Sequence, residues 1–436
     1  MHTFDLSMEH ITKVEGNASL HLKVENGKVL EVKFQIDEYK RFFTEAMKGK
    51  APVAIPPHLA RICGTCSNAH VICSIEACEH ALGILPSEQT KILRALTMHG
   101  LIIRDHALHL YLFVLPDIFG KDAFMDFDES DPEQHQLLHD GFDVKSAGNF
   151  LATLVAGRSV HAMYPVIGGF LHFPDEAGIA EAVKKLSGVR EAVLRLIKIF
   201  KESSFHFDRK TKYIALVPDG NFGYTDGTII TSKGEKYGED KFKDHLEHVV
   251  LPYSQASAYK YDGEGFMVGA LARINLAKEK LHPKTKESLG DTLDLFPSTD
   301  IFYNNLAQAI EILHSIDESI DLLTKNNFKS EPLSTSSEKS GTGIGVIEAP
   351  RGTLYHKVVI GKDGKVTEGE VIVPTGQNQI NIERDVAILV ERLLPDENMT
   401  KEKITFEIEK LICAYDPCMS CASHFLKVIW EGENRL

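Results

Sequence analysis

Four of the seven cysteines form two C-x-x-C pairs, Cys63 with Cys66 and Cys418 with Cys421. Two residues between the thiols allow both sulfurs to bind one ion from a single turn, so each pair is a chelating half-site. Four thiolates favour a thiophilic metal: zinc, iron in a sulfur cluster, or another transition metal. Because the pairs lie near opposite ends of the chain, nearly all of it must fold before one site can contain both.

A structural zinc site is the common intracellular use of four cysteines, and the spacing alone leaves it open. Two features argue against it. A zinc ribbon ties a short segment together, whereas these pairs are far apart, and each is followed by a histidine, His70 or His424, that a structural zinc does not need. The other three cysteines lie in apolar patterns and are predicted to be buried core thiols, namely Cys73, Cys78 and Cys413.

Composition narrows the class of protein. The chain has 436 residues, with 48 Lys and Arg against 62 Asp and Glu, a formal net charge of -14. This acidic balance without a basic cluster argues against nucleic acid as a partner, and seven cysteines are too few for a disulfide scaffold. No run of about 18 apolar residues is present, and the start MHTFDLSMEHITK lacks a secretory pattern. We therefore expect a soluble, cytoplasmic protein without direct membrane insertion, unless a partner subunit carries an export signal.

The elements that must position the cysteines are mostly helical. Residues 16–36 alternate apolar and polar on both sides of Asn26-Gly27, which predicts an N-terminal hairpin, and residues 354–373 predict a second one across Asp363-Gly364. Apolar spacing of three and four predicts helices over residues 87–114, 133–160, 175–203, 298–325 and 378–413. Ser87 is the predicted cap of the first helix, and Pro116 its predicted end.

These patterns predict a mainly α fold with α+β elaborations, in which a central helix bundle has β hairpins near both ends. We expect a single large catalytic domain over residues 1–436, with an inserted α+β lobe at 207–262. The Ser/Gly-rich segment 329–345 contains Gly341-x-Gly343-x-Gly345, which is not the dinucleotide-binding fingerprint. A flexible or close-packed loop is predicted there, with phosphate binding as the alternative.

Five ordered motifs carry a family resemblance over essentially the whole chain. The first is the cysteine motif, whose two halves RICGTCSNAH and DPCMSCASH are counted as one. The other four are KVEG at residues 13–16, DHALH at 105–109, EAPRG at 348–352 and VPT at 373–375. Together they resemble the large, catalytic alpha subunit of nickel-iron hydrogenases, most of all the cytosolic, cofactor-coupled branch of sulfhydrogenases and bidirectional enzymes. The resemblance implies the hydrogenase large-subunit fold.

The resemblance also implies a ligand set. Cys63 and Cys418 would be terminal nickel ligands, while Cys66 and Cys421 would bridge nickel to an iron that carries carbon monoxide and two cyanides. Residues expected around these groups are Pro350, Arg351 and Thr375, which match positions facing the diatomic ligands, and His70, which matches a donor to a bridging thiolate.

The implied activity is the reversible, heterolytic oxidation of H2 to protons and electrons, which requires a base close to the metals. Our hypothesis is that the thiolate of Cys418 takes the proton and passes it to Glu15. Arg351 is a rival base, but a guanidinium normally stays charged, so we expect an electrostatic role for it. Asp105 and Asp416 are expected to hold its side chain.

Simpler interpretations of the same residues remain open. Glu15 could be only a solvated carboxylate, and His70 an ordinary core histidine. Asp105 and His109 share a helix face and could form a buried hydrogen-bonded pair. Thr375 could be the N-cap of a helix.

Two features depart from the family pattern. The family uses a Glu to bind a magnesium or iron near the C-terminus together with the last histidine, here His424, but this chain has Thr44 at that position and Glu45 beside it. Glu45 is therefore a weaker candidate ligand. After His424, residues 425–436 (FLKVIWEGENRL) form a C-terminal extension of the kind that a maturation protease removes once nickel is inserted.

The implied partners are an iron-sulfur small subunit, further electron-transfer subunits, the maturation protease and nickel-insertion factors. Two alternatives belong to other classes. A complex I-type quinone-site subunit shares the fold without nickel, and retention of all four cysteines argues against it. A structural zinc protein needs the thiols alone, and metal analysis separates the three hypotheses.

Overall fold

Helices dominate the computed structural model, which describes residues 3–39, 41–396 and 398–423 and agrees with the expected mainly α fold. The α-helices are α1 (Phe43–Met47), α2 (Ile55–Leu59), α3 (Ser67–Leu82), α4 (Glu88–Ala107), α5 (Leu115–Ile118), α6 (Pro132–Ala156), α7 (Glu176–Lys201), α8 (Ala270–Ala277), α9 (Pro283–Leu289), α10 (Tyr303–Lys325), α11 (Pro374–Leu393), α12 (Lys401–Ala414) and α13 (Met419–Ala422). Within these described ranges, none of the helices has the length and apolar character needed to cross a membrane. The predicted extension 425–436 and His424 lie outside the described residues.

In the described ranges the strands form five small sheets. The strands are β1 (Phe4–Met8), β2 (Ala18–Glu25), β3 (Lys28–Ile36), β4 (Pro165–Val166), β5 (Gly169–Phe170), β6 (Lys212–Pro218), β7 (Gly227–Thr231), β8 (Lys236–Tyr237), β9 (Leu246–Val250), β10 (Ser257–Tyr261), β11 (Phe266–Met267), β12 (Gly341–Ala349), β13 (Gly352–Ile360) and β14 (Val366–Ile372). Their orders are β1-β2-β3, β4-β5, β11-β6-β7-β8, β10-β9 and β12-β13-β14.

The N-terminal hairpin pairs β2 with β3 around Asn26 and Gly27, where the sequence predicts it. Both turn residues have positive φ, 52° and 76°, as a type I′ turn requires. Leu20, Leu22 and Val24 alternate along β2 on the buried face. Helix α11 packs against β3, so the hairpin lies next to the helix that begins with the VPT motif.

A bundle of α4, α6, α7 and α10 forms the centre of the molecule. Ser87 caps α4 as predicted, since its hydroxyl accepts a hydrogen bond from the amide of Thr90. The helix does not end at Pro116, because a π-helical segment, Leu108–Val114, joins α4 to α5 and Pro116 lies in the first turn of α5. Proline is tolerated there because the first turn of a helix needs no donated N–H.

Helix α3, directly after the first cysteine pair, has no counterpart among the predicted helices. Nearly all of its residues are buried, so it shows no apolar periodicity that the sequence could reveal. It packs against β12, whose residues Gly341, Gly343 and Gly345 face its backbone. The prediction of a loop is wrong for residues 341–345, which belong to β12, whereas their predicted close packing is confirmed.

The helix predicted over 378–413 is two helices, so that prediction is wrong. Helix α11 ends at Leu393, before Pro395, and α12 begins at Lys401 with Thr400 as its cap. A proline lacks the N–H that would continue the helix, and the Thr400 hydroxyl accepts from the amide of Lys403 to start the next one.

Residues 207–262, expected to be an α+β lobe, contain strands β6–β10 and a 3-10 helix, Glu239–His245, but no α-helix. Their buried side chains share one cluster with the sheet β12-β13-β14, for example Leu216 and Phe242 with Tyr355 and Ile372. The lobe therefore supports the sheet that contains the EAPRG motif.

The glycines of β12 give a test of this packing. A Cβ on Gly343 would overlap the carbonyl oxygen of Ala77, which belongs to the helix backbone and has no room to move. We expect Gly343→Ala to lower the free energy of unfolding by about 1–3 kcal/mol or more, measured by denaturant unfolding. Gly188 in α7 is exposed with open space around it, so Gly188→Ala is the control and should stabilise by about 0.5–1 kcal/mol. An unchanged free energy of unfolding in Gly343→Ala would contradict the close packing of α3 on β12.

Candidate metal centre

The four predicted cysteine ligands meet in one buried cluster. Their sulfur atoms all lie within 4.8 Å of one another. Sγ of Cys63 is 3.4 Å from Sγ of Cys418, and Sγ of Cys66 is 3.0 Å from Sγ of Cys421, so both contacts join opposite ends of the chain. These distances exceed a disulfide bond, and all four thiols are free.

The charges of this cluster call for a cation. Hydrogen bonds from the other thiols lower the pKa of Cys63 well below its usual value. Burial raises the pKa of Cys418 and of Cys421 well above the usual value, and the neighbouring thiols add to the effect on Cys418. Several thiolates cannot share so dry a space without a positive ion, so the donor set fits a thiophilic metal.

The other three cysteines are buried core thiols, as predicted. Burial raises the pKa of Cys78 to about 12, and it also raises the pKa of Cys73 and of Cys413. They therefore stay protonated and differ from the cluster in their chemistry.

The C-terminal cysteine motif is held by distant parts of the chain. The hydroxyl of Thr375 accepts a hydrogen bond of 2.9 Å from the amide of Cys418, and the carbonyl of Glu15 accepts one of 2.9 Å from the amide of Met419. On the other side, the side-chain amide of Asn304 donates to the carbonyl of Ala414. The second half of the cluster therefore depends on α11, α10 and the KVEG segment.

The carboxylate of Glu15 lies at the edge of the cluster. Sγ of Cys418 is 3.0 Å from Oε2 of Glu15, while the hydroxyl of Ser420 donates to Oε1 over 2.6 Å and its amide to Oε2 over 3.1 Å. Burial raises the pKa of Glu15, the charge of Cys63 adds to this, and the bonds from Ser420 and Cys418 oppose it. Glu15 is thus bonded to a candidate ligand, which excludes the interpretation as a merely solvated group.

Arg351 lies between two buried carboxylates, as expected. Its Nη1 donates to Asp105 over 2.7 Å and its Nη2 to Asp416 over 2.8 Å. Burial alone would lower the pKa of Arg351, but Asp105 and Asp416 outweigh this and raise it well above its usual value. The guanidinium is therefore firmly charged beside the thiols.

A very small cavity adjoins the sulfur cluster. Its lining is largely apolar and comprises Cys66, His70, Ala349, Arg351, Leu354, Pro374, Thr375, Cys418 and Cys421. Nε of Arg351 is buried without a hydrogen-bond partner. The unpaired N–H of Arg351 can donate a hydrogen bond to a small ligand bound beside the thiols, and the apolar lining would keep water away from it.

Pro350 does not line this cavity but helps to support it. Its carbonyl accepts a hydrogen bond of 2.9 Å from Nη2 of Arg273. The Arg273 guanidinium also pairs through Nε with Glu311 over 2.6 Å and through Nη1 with Glu348 over 2.8 Å. Arg273 is fully buried, and these carboxylates outweigh burial and raise its pKa. No sequence motif points to Arg273, because its partners lie far away along the chain.

Arg104 is a second residue that sequence reasoning missed. Its guanidinium donates to the carbonyl of Thr65, one of the two residues between Cys63 and Cys66. The amide of Thr65 in turn donates to Sγ of Cys63 over 3.3 Å. Arg104 precedes Asp105 in the DHALH helix, so this helix positions Arg351 on one side and the cysteine turn on the other.

His70 lies beside the cluster, with Nε2 3.8 Å from Sγ of Cys421. Its other ring nitrogen contacts His356, a residue outside all five motifs. His70 therefore contacts a candidate ligand, as the resemblance implies.

Two simpler interpretations are wrong. Asp105 and His109 do not pair, since Asp105 binds Arg351 while His109 bonds to Gln308 and to the carbonyl of Cys413. The change from α-helix to π-helix between them alters their relative orientation. Thr375 is not an N-cap, because Val373 occupies that position of α11.

Of the two ligands expected for the third metal, the structure describes Glu45. Thr44 is buried, and Glu45 is half-buried in an ion pair of 2.7 Å with Lys48. Its expected partner His424 lies outside the described residues, so the site near the C-terminus stays a prediction.

One further group of ligand-type side chains occurs in the described part of the chain, Glu76, His80 and Glu239. Burial, together with the charge of Glu239, raises the pKa of Glu76 well above its usual range. Glu76 is therefore a neutral acid that hydrogen bonds to Glu239, and this pair joins α3 to the lobe.

Comparison with known proteins identifies the family. The family model described as nickel-dependent hydrogenase matches residues 41–135 and 224–424. Sulfhydrogenase 2 subunit alpha of Pyrococcus furiosus is 33% identical over 429 residues, covering 97% of this chain and 100% of that protein. Sulfhydrogenase 1 subunit alpha of the same organism is 31% identical over 431 residues, covering 97% of this chain and 98% of that protein.

The fold agrees. A crystal structure of an NAD+-reducing [NiFe]-hydrogenase in the H2-reduced state superposes with a TM-score of 0.86 at 23% identity, covering 97% of this chain and 100% of that chain. The motif-based resemblance and its sulfhydrogenase branch are confirmed, and the quinone-site and structural-zinc alternatives are not supported. This chain belongs to the nickel-dependent hydrogenase family, of which it is a large, catalytic subunit, an oxidoreductase that acts on H2.

Proposed function

We propose that this hydrogenase splits H2 heterolytically and reversibly at the four-cysteine cluster, moves the proton through Cys418 and Glu15, and passes the electrons to an iron-sulfur small subunit. The observation that carries the proposal is the 3.0 Å contact between Sγ of Cys418 and Oε2 of Glu15. A thiol beside a buried carboxylate is a ready route for a proton.

The cofactors belong to the same proposal. Cys63 and Cys418 would hold nickel, and Cys66 and Cys421 would hold both the nickel and an iron that carries carbon monoxide and two cyanides. When bound, this centre supplies the redox chemistry and the polarisation of H2. The cavity lined by Arg351 and Thr375 supports a site for the diatomic ligands, because it is dry and contains an unpaired donor. A third metal, magnesium or iron, held by Glu45 and His424, completes the proposed set.

The proton step depends on how Glu15 is held. Ser420 bonds both oxygens of its carboxylate, so the carboxylate faces the thiol of Cys418 in one orientation. Burial and the charge of Cys63 raise the pKa of Glu15, which makes it a better proton acceptor than an exposed glutamate. Glu15 therefore takes the proton from Sγ of Cys418 and releases it away from the metals.

Arg351 acts electrostatically in this proposal. Two carboxylates fix its guanidinium, and its charge stabilises the negative thiolates of the cluster. A base must release its proton, and the raised pKa of Arg351 disfavours that.

The surface near Cys63 supports docking of the small subunit. Gly64, inside the first cysteine pair, is exposed, and Arg61 and Arg158 are exposed nearby. Val53 and Met163 present apolar surface at 70% and 58% exposure beside them. We define Val53, Arg61, Arg158 and Met163 as the docking face.

The docking face is connected to the cluster through a loop. The amide of His161 donates to the hydroxyl of Ser67, and the side chain of Asn68 binds the carbonyl of Ser159, which ties the loop to the first turn of α3. Burial and Arg61 lower the pKa of His161, while the charge of Cys63 opposes them, so the two groups interact electrostatically. The loop therefore holds the docking face next to the first cysteine pair.

Further electron-transfer subunits, nickel-insertion factors and a protease acting on residues 425–436 complete the proposed assembly. A cytoplasmic location is supported by the seven free thiols, which persist in reducing compartments.

The proton route is tested by Glu15→Gln. We expect proton exchange between H2 and solvent to fall by roughly 10²–10⁴-fold with nickel and iron retained, because the amide cannot accept the proton. Isotope exchange with D2, followed by mass spectrometry, measures this. Glu383→Gln is the control, since Glu383 is also a largely buried carboxylate with a raised pKa, bonded to the amide of Phe34. Undiminished exchange in Glu15→Gln would contradict the assignment of Glu15 as the proton acceptor.

The role of Arg351 is tested by Arg351→Lys. A lysine keeps the charge but cannot bridge Asp105 and Asp416 in the same geometry, so we expect H2 oxidation to fall by about 10–100-fold. Steady-state H2 oxidation and metal content are measured together. If Arg351 were the base, lysine with its lower pKa would serve as well or better, and undiminished turnover would contradict the electrostatic role.

The docking face is tested by charge reversal. Arg61→Glu combined with Arg158→Glu should weaken association with the iron-sulfur small subunit by roughly tenfold or more, because like charges and lost contacts oppose docking. Biolayer interferometry or co-purification measures the change. Arg384→Glu, an equally exposed arginine on α11, is the control. Equal affinity for the double variant and the control would place the partner elsewhere.

A further inference from the structure

His356 lies next to His70, on the side of this residue that faces away from Cys421. It belongs to β13, the central strand of its sheet, opposite Gly345 of β12 and Val371 of β14. Both histidines are buried, at 0% and 1% exposure. Nε2 of His356 is 3.1 Å from Nδ1 of His70, and Nε2 of His70 is 3.8 Å from Sγ of Cys421.

The close packing of α3 on β12 makes this contact possible. A Cβ on Gly345 would overlap the carbonyl oxygen of Cys73, which lies one turn after His70 on α3. Glycine at this position lets the helix approach the sheet, so that His70 reaches across to the neighbouring strand. The imidazole rings lie 5.3 Å apart between centroids and 29° from parallel.

Neither ring has a charged partner. Among the described residues no carboxylate bonds to either imidazole, and the two rings contact each other through one nitrogen each. A neutral imidazole has one N–H donor and one bare nitrogen that accepts. The pair can therefore arrange its protons in two ways.

In the first arrangement Nε2–H of His356 donates to Nδ1 of His70. His70 must then carry its own proton on Nε2, where it points to Cys421, and two hydrogen bonds form. In the second arrangement His70 donates from Nδ1 and offers Cys421 no proton. His356 would then carry its proton on Nδ1, an atom that is buried without a hydrogen-bond partner. The first arrangement is favoured because it leaves no buried donor unpaired.

We propose that His356 is a positioning residue that fixes the tautomer of His70, so that His70 donates from Nε2 to the thiolate of Cys421. The inference rests on the proposed function, in which Cys421 bridges nickel and iron. A hydrogen bond to a bridging thiolate withdraws electron density from the sulfur and hence from the iron. His356 thereby tunes the metal centre without contacting it.

The test compares two amides at this position. His356→Gln places its N–H donor near the position of Nε2, facing His70, whereas His356→Asn places it near the position of Nδ1, where no acceptor lies. Purified wild-type and variant holoenzyme are compared by nickel and iron content and by the infrared bands of iron-bound carbon monoxide and cyanide. His99→Asn is the control, because His99 is an equally buried histidine that bonds to Ser315.

We expect His356→Gln and His99→Asn to keep the wild-type bands. In His356→Asn the bands should shift to lower wavenumber with both metals retained, and H2 oxidation should fall by roughly 10–100-fold. Wild-type infrared bands in His356→Asn at full metal content would overturn the inference. An equal shift of the bands in His356→Gln would overturn it too, because either result shows that an N–H donor facing His70 is not needed.

If His356→Asn does not hold the metals, His356→Leu is measured in its place with the same expectations. If His356→Asn and His356→Leu both lose the metals while His356→Gln keeps them, the N–H donor at this position is required for the assembled site, which supports the inference. If all three variants lose the metals, the inference is overturned. Absence of the infrared bands from the wild-type enzyme would instead overturn the proposed function.

Discussion

Four thiols from the two ends of the chain meet in one buried space, and much of the fold serves to hold them there. Each thiolate repels the others in a medium that screens charge poorly. The cluster is therefore stable only with a cation inside it and with the surrounding backbone firmly held. The second half, from Cys413 to Cys421, is bonded to the KVEG segment, α10, α11 and the π-helical segment after α4. Elements from nearly the whole chain thus act together to close the site.

Buried charges provide much of this support. Arg351, Arg273 and Arg104 each lie within a short distance of the cluster or of the segment that lines it, and the first two are bonded to paired carboxylates. Removing one partner of such a pair would leave an uncompensated buried charge, which costs far more than the pair itself contributes. The network therefore fixes geometry more than it adds stability. Its charged groups are also the ones best placed to balance thiolates around a metal.

The chemistry of the site was predictable from the sequence to a large extent, because the motifs are local. The cysteine pairs, Glu15, Arg351 and the two aspartates could be named from short segments, and both hairpins follow from Asn-Gly and Asp-Gly turns. What could not be predicted is the set of residues whose partners are distant. His356 and Arg273 sit in unremarkable β and α patterns, and only tertiary packing brings them to His70 and to the carbonyl of Pro350.

The prediction of secondary structure failed where an element is buried on all sides and so shows no alternation of apolar and polar residues. Helix α3 is buried on nearly every side, so its residues show no polar face, and the glycines of β12 resemble a loop because they make room for that helix. Elemental analysis of the purified, active enzyme decides whether the four thiols hold nickel together with iron. We expect about one nickel per copy of this chain, little zinc, and more iron than the clusters of the small subunit account for. Zinc in place of nickel, or activity without nickel, would contradict this expectation.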